Sequence, residues 1–277
     1  MNWKRLFVLG VLFLGLSAGF AGPRDLLVFY PGGAGSAEDA ATVMREFGAA
    51  LAKGAGWPEG ALTVSYENDL TAGLATIQNN KPGFALVGLP VYLSQGAKLK
   101  MKLVAQSLPG GRKTDAYYMM GRKDGPKNLQ AAKGLKLISN QLYDKTFISR
   151  CVLGGQNVEE FFKLKEVSSG LRAIRSVADD ENKADLVLLD QHQHNALGGL
   201  DEAKLLQLVH RSPDLPTAPL VALDGVAADA DIVAIKKALL GLAGNSAAKD
   251  LLDTMTLKGF GEPDAAAYEA AQKLYGQ

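Results

Sequence analysis

Leu26-Leu27-Val28-Phe29-Tyr30-Pro31-Gly32-Gly33-Ala34-Gly35-Ser36 decides the fold. An unbroken apolar run from Leu26 to Tyr30, without polar alternation, reads as a strand covered on both faces. The Pro/Gly stretch after it is a loop, and Ser36 with Asp39 in the first turn predicts a helix over Ser36–Lys53. Together they make a βα unit whose loop lies at the carboxyl end of the strand. The pattern repeats outward with strand Leu62–Tyr66, helix Asp69–Asn79 and strand Phe84–Gly88, at the spacing of a parallel sheet. Leu103–Ser107 then leads through a Gly/Lys/Arg turn at Gly110–Lys113 to strand Ala116–Met120, where the chain changes domain.

A second series follows: strand Leu135–Asn140, a helix over about Asp144–Leu153, a helix over Ser169–Val177 and strand Leu186–Asp190. The apolar Leu205–Val209 ends in the Pro-punctuated His210–Pro216, suited to carry the chain back. Strand Leu220–Leu223 and helices near Asp229–Leu242, Ser246–Leu257 and Asp264–Leu274 complete the chain. The expected architecture is two α/β lobes, residues 24–113 with 212–277 and residues 114–211, joined by two extended crossings. Ligands bind at the carboxyl ends of such open sheets, so the cleft between lobes is the expected site.

At 277 residues with 47% hydrophobic and 21% charged content, the chain is that of a folded protein, which excludes disorder and coiled coil. Lys4 and Arg5, the run Leu6–Leu16 and the small residues Ser17, Ala18, Gly19 and Ala21 have the tripartite form of a signal peptide over residues 1–21. A signal-anchor is the alternative, and no Cys follows the small residues to accept a lipid. Without that segment, basic and acidic residues stand at 28 against 29, which argues against nucleic acid as a partner. Cys151 is the sole cysteine, so neither an intramolecular disulfide nor a Cys-based zinc site is available. Export without disulfides fits a bacterial periplasm.

Ala85-Leu-Val-Gly-Leu-Pro-Val-Tyr92, Val104-Ala-Gln-Ser107, Tyr117-Tyr118, Lys123-Asp-Gly-Pro126 with Leu129 and Lys133-Gly134, Gly155 with Phe161-Phe162, Ala184-Asp185-Leu-Val and Arg211-Ser-Pro-Asp-Leu-Pro216 follow one another in a telling order. From about Leu26 to Tyr275 the chain resembles the periplasmic phosphate/phosphonate-type substrate-binding proteins, a branch of the type II periplasmic binding proteins. The resemblance implies a two-lobed, hinge-closing monomer that captures a small molecule and delivers it to the permease of an ABC transporter, without a cofactor. A ligand sensor presenting its closed state to a membrane receptor or kinase is the alternative, and an enzyme on the same fold the third.

One turn departs from the family pattern. Where the family has a Ser-Thr-Ser-Gly type turn whose donors hold phosphoryl oxygens at a helix N-terminus, this chain reads Ser139-Asn-Gln-Leu142-Tyr143-Asp144-Lys145-Thr146. An acid stands near the cap, so tight binding of phosphate or simple phosphonates is not expected, and a neutral, cationic or partly apolar solute is. Gly32 and Gly33 allow a close backbone approach to a ligand, Tyr30 and Tyr92 supply aromatic walls, and Asp144 and Asp190 are acceptors. Leu142, Tyr143, Lys145, Thr146, Ser169 and His192 complete the candidate lining.

Other constellations carry less. Pro31–Gly35 lacks the Gly-Lys-Ser/Thr end of a P-loop. Asp190, His192 and His194 share one side if extended and could then bind zinc, whereas a helix starting there scatters them. Tyr117 and Tyr118, as strand neighbours, face opposite sides and cannot share an ion. Cys151 lies in an apolar helical run and reads as core rather than as a nucleophile.

Overall fold

A computed structural model describes residues 23–179 and 184–277. The leader segment over residues 1–21 lies outside them. The first βα unit forms as the sequence predicts: β1 (Leu26–Phe29) enters α1 (Ala37–Ala55) through a reciprocal cap. Asp39 N donates to Ser36 Oγ at 3.2 Å, and Ser36 N donates to Asp39 Oδ2 at 2.8 Å. Next come β2 (Val64–Glu67), α2 (Leu70–Asn80), β3 (Phe84–Val87) and α3 (Leu89–Gln95). They are followed by the long β4 (Met101–Pro109) and the short crossing strand β5 (Thr114–Asp115).

The second series comprises β6 (Tyr118–Arg122), β7 (Lys136–Ser139), α4 (Lys145–Phe147), α5 (Val158–Phe161), β8 (Lys163–Glu166), α6 (Gly170–Ala178), β9 (Leu186–Leu189), α7 (Gln191–Leu197) and β10 (Leu206–Arg211). The return runs through β11 (Leu215–Pro216), β12 (Pro219–Leu223), α8 (Asp229–Gly241), α9 (Lys249–Thr254), β13 (Leu257–Gly261) and α10 (Ala265–Gly276). One sheet has the order β13-β4-β12-β3-β1-β2, the other β10-β6-β9-β7-β8. β5 and β11 pair antiparallel, Leu215 opposite Asp115, so the two crossings form one ribbon between the sheets.

The βα strands β1, β2 and β3 are parallel, as their spacing predicts, while β12, β4 and β13 add antiparallel. Alternate residues of β1 serve two cores: Leu26 and Val28 pack under α1 and α8, Leu27 and Phe29 under Ile77 of α2. The same holds for β9, with Leu186 and Leu188 on one side and Val187 and Leu189 on the other. This is why these strands read as continuous apolar runs. Burying one Leu or Phe side chain stabilises by roughly 1.5–3 kcal/mol.

Two expected helices differ. Asp144–Leu153 is the single turn α4 running into a π-helical turn over Ile148–Val152, whose Arg150 Nη1 donates to Tyr275 O of α10. Ser246–Leu257 is a 3-10 turn and the short α9, with Leu257 already in β13. Tyr268 and Ala271 of α10 share a core with Leu89 and Leu93 of α3 and with Tyr117, Phe147 and Ile148 from the other series.

Candidate functional site

The loop after β1 is held from both sides. Gly32 N donates to Asn68 O at 3.1 Å, Asn68 Nδ2 donates to Gly33 O and Gly35 O at 3.0 and 2.6 Å, and Tyr66 OH donates to Ala34 O at 3.0 Å. Those partners lie on or just beyond β2. From the other sheet, Asn140 Nδ2 donates to Gly32 O at 2.6 Å. Both glycines are required here: Gly32 has φ +76°, and a Cβ on it would stand 2.7 Å from Asn140 O. A Cβ on Gly33 would stand 2.4 Å from the Tyr66 hydroxyl.

Beyond β7 the chain builds a buried polar network. Ser139 Oγ donates to Leu188 O at 2.6 Å and accepts from Gln141 N at 2.9 Å. Gln141 Nε2 donates to Asp190 Oδ2 at 3.0 Å, and Gln193 Nε2 donates to Asn140 Oδ1 at 3.1 Å. Asp190 is the N-cap of α7, its Oδ1 accepting from Gln193 N at 2.8 Å. Ser139, Asn140, Gln141 and Asp190 are all buried. Burial raises the Asp190 carboxyl above its usual range, against hydrogen bonds and the His192 charge that lower it.

Between the loop and this network lies a cavity of about 440 Å³. Pro31, Gly32, Gly33, Asn68, Asp69 and Leu70 line one side, and Asn140, Tyr143, Glu166, Val167 and Ser168 the other. Its charged lining residues are Asp69 and Glu166, with no lysine or arginine among them.

The candidate residues divide. Gly32, Gly33 and Tyr143 line the cavity. Tyr30 and Asp190 are not among the lining: Tyr30 packs its ring beside Gly33 and Gly88, and Asp190 is held by Gln141 and Gln193; burial raises the Tyr30 hydroxyl well above its usual range, with Asp190, Tyr143 and Asp115 adding to the shift. His192 is exposed and outside the cavity lining, with Thr256 Oγ1, from the segment before β13, 3.4 Å from its Nδ1.

The others are placed elsewhere. Leu142 is 2% exposed in the core with Phe147 and Cys151, because the turn leaves β7 directed inward. Asp144 caps α4, accepting from Phe147 N at 2.8 Å, and its Oδ2 accepts from Tyr275 OH at 3.2 Å, so its carboxylate faces α10 rather than a ligand. Lys145 pairs with Glu159 at 2.6 Å at the surface, and Thr146 is exposed. Ser169 caps α6 through Arg172 N at 3.3 Å, and it is Ser168 that reaches the cavity. Tyr92 sits on α3 with its ring edge-on to Tyr268 at 5.5 Å, away from the cavity lining.

Helix α7 begins at Gln191, so Asp190, His192 and His194 diverge, and His194 stacks on Tyr118 at 3.8 Å. Tyr117 and Tyr118 pack in different cores on opposite sheet faces. Cys151 is fully buried, and burial pushes its thiol up to about 12. Asn68, Asp69, Asn140, Glu166 and Ser168 of the lining, and Gln141 beside them, are not among the residues singled out by the sequence. Asn140 and Gln141 were marked only by being a polar pair directly after a buried strand.

A family model described as ABC transporter, phosphonate, periplasmic substrate-binding protein matches residues 34–268. No curated protein matches the chain in sequence. Among solved structures, the binding-protein component of an ABC phosphonate transporter from Pseudomonas aeruginosa aligns with TM-score 0.71 and 15% identity, over 91% of this chain and 85% of that one. A Xanthomonas citri protein bound to ATP gives 0.70 at 14% identity, over 91% and 96%. A Prochlorococcus marinus protein in complex with methylphosphonate gives 0.68 at 16% identity, over 91% and 97%. The fold is the two-lobed α/β fold of the type II periplasmic binding proteins.

Proposed function

The chain belongs to the phosphonate-type periplasmic substrate-binding proteins of ABC transporters, and we propose that it captures a small solute other than phosphate or a simple phosphonate by closure of its two lobes. Membership makes it a transport protein rather than an enzyme and implies a membrane permease as partner. The lobes are residues 24–113 with 212–277 and residues 114–211, turning about the β5/β11 ribbon, and the closed monomer is what the permease receives. Removal of residues 1–21 by a signal peptidase, leaving Gly22 first, belongs to the same proposal and is checked by N-terminal sequencing.

The observation that carries the solute class is the acidic cavity under the Gly32–Asn140 contact. The donors at the family's anion turn are replaced by Asn140 and Gln141, whose amides are engaged by Gly32 O and Asp190. A phosphonate about 5 Å from Asp69 or Glu166, at an effective dielectric near 20, would be repelled by about 3 kcal/mol, or about a hundredfold in affinity. Calorimetry with phosphate, methylphosphonate and 2-aminoethylphosphonate tests this. The expected result is no sub-micromolar binding, and such binding of any of them overturns the solute class. Solution scattering with a solute identified by native mass spectrometry tests closure, with contraction expected.

A further inference from the structure

We propose that α10 straps the two lobes together behind the cleft, its first turn fixed to the first lobe and its last turn to the second. Closure is then a swing about an axis through the β5/β11 ribbon and Tyr275, in which the front of the cleft opens and the back stays packed. This rests on the closure proposed above and names the residues that set its axis.

At the first-lobe end, buried side chains bind the two crossings to each other and to the start of α10. Gln106, fully buried on β4, donates from Nε2 to Lys113 O at 2.6 Å and accepts on Oε1 from Asp264 N at 3.1 Å. Thr217, also buried, donates from Oγ1 to Ser107 O at 2.6 Å, and its carbonyl accepts from Tyr268 OH at 2.9 Å. Lys113 O accepts from Thr217 N as well, at 3.2 Å. At the second-lobe end, Tyr117 N donates to Ser212 Oγ and Ser212 N donates to Tyr117 O, each at 2.9 Å. Between these two locks lie residues 114–116 and 213–216, which include the ribbon, so the crossings bend there.

The last turn of α10 is held by the second lobe. Tyr275 OH donates to Asp144 Oδ2 at 3.2 Å, and Tyr275 O accepts from Arg150 Nη1. Midway along the helix, Gln272 Nε2 donates to Leu93 O of α3 at 3.0 Å, and the Tyr268 ring meets Tyr92 edge-on. Leu89 and Leu93 of α3 share one core with α10 and with Tyr117, Phe147 and Ile148 of the second lobe, so packed apolar surface joins the lobes beside the crossings. Asn140 and Asp144 both follow β7, and they are held from opposite sides: Asn140 reaches Gly32 at the front, and Asp144 reaches Tyr275 at the back. A swing that parts Asn140 from Gly32 and keeps the back core intact has to pivot near Asp144 and Tyr275. A twist about the ribbon alone would break both bonds to Tyr275 and pull that close-packed core apart.

The test is pulsed electron spin resonance on the unliganded mature protein, with spin labels at exposed positions in a Cys151→Ala background. Glu38→Cys with Leu171→Cys spans the front, from the first turn of α1 to the first turn of α6, and Thr146→Cys with Lys273→Cys spans the back. Asn140→Ala removes the front bond, and it should lengthen and broaden the front distance while the back distance keeps its position and width. Arg150→Met with Tyr275→Phe removes both bonds to the last turn while keeping the apolar bulk, and it should broaden the back distance. Cooperative thermal unfolding shows that each variant is folded, and the Asn140→Ala comparison decides without the double variant. A back distance that lengthens together with the front one in Asn140→Ala, or that stays sharp in a folded double variant, overturns the strap and leaves closure standing. A front distance that is fixed in every variant removes lobe motion itself, and with it both the strap and the closure proposed above.

Discussion

Gly32→Ala separates what the loop costs by itself from what it costs when the lobes meet. The left-handed backbone at Gly32, φ +76°, costs a residue with a side chain about 1–2 kcal/mol. That strain acts whether the lobes are apart or together. The second effect acts only when they meet: the new Cβ would stand 2.7 Å from Asn140 O, a backbone atom at the end of a buried strand with little room to retreat. The loop must withdraw, and the 2.6 Å bond from Asn140 to Gly32 O is stretched or lost. Loss of that bond with its contact removes about 1–2 kcal/mol from the closed form, which lowers affinity about 5- to 30-fold. The strain should lower Tm by about 2–4 °C per kcal/mol for a chain of this size. Calorimetry with the copurified solute, beside thermal unfolding of the unliganded protein, reads the two effects apart. Asn140→Ala, which removes the bond without the strain, should share the affinity loss. A Gly32→Ala protein that loses thermal stability but binds within twofold of wild type would refute a role for this contact in closure.

Burial raises the Asp115 carboxyl from 3.8 to about 6, so between those values the folded chain keeps a proton that the unfolded chain has released. Stability therefore falls as pH rises through that window, and Asp115→Asn should flatten the urea-unfolding profile and leave the unliganded protein more stable at pH 7. A destabilised Asp115→Asn would contradict a net cost of burying the charge, which the nearby Arg112 only partly offsets. Asp144→Ala should lose about 0.5–2 kcal/mol with its N-cap, and Asp144→Ser less, while solute affinity stays within twofold because the side chain faces Tyr275. The Cys151 thiol, buried and pushed up to about 12, should resist alkylation in the native protein and react as the chain unfolds. Labelling of the native protein at the rate of a free thiol would show that the π-helical turn opens.

The elements whose cause is local were legible. Ser36 and Asp39 fix the start of α1 wherever the helix packs, and the four-residue apolar strands β1, β3 and β9 announce sheets covered on both faces. What was not legible depends on distant partners. β13 contains two glycines and becomes a strand by pairing with β4. The π-helical turn is pinned by Arg150 reaching α10, 125 residues later. For Tyr92 the signal was present: Pro90 in the first turn of α3 marks a helix where the sequence was read as a strand end. At the site, the glycine loop declared itself by composition. Asn140 could not, because its amide acquires meaning only against Gly32 O, 108 residues earlier.

The proposed solute class rests on the replacement of hydroxyls by carboxamides after β7, within a fold that is the family's. A hydroxyl at the end of a strand can turn its single donor to a phosphoryl oxygen. A carboxamide carries both donors and an acceptor, and here both ends are engaged: Asn140 Nδ2 donates to Gly32 O and its Oδ1 accepts from Gln193 Nε2. Gln193 N in turn donates to Asp190 Oδ1, the N-cap of α7, and Gln193 Oε1 accepts from Asp190 N at 3.2 Å. The chain of bonds runs from the loop of one sheet, through Asn140 and Gln193, to the buried Asp190 carboxylate. The donors of this turn are spent on holding the loop and the acid in place. Under the proposed solute class, the same carboxamides that stand where the family pattern has donors also fix the orientation of the Asp190 carboxylate, through Gln141 Nε2 directly and through Gln193 from Asn140.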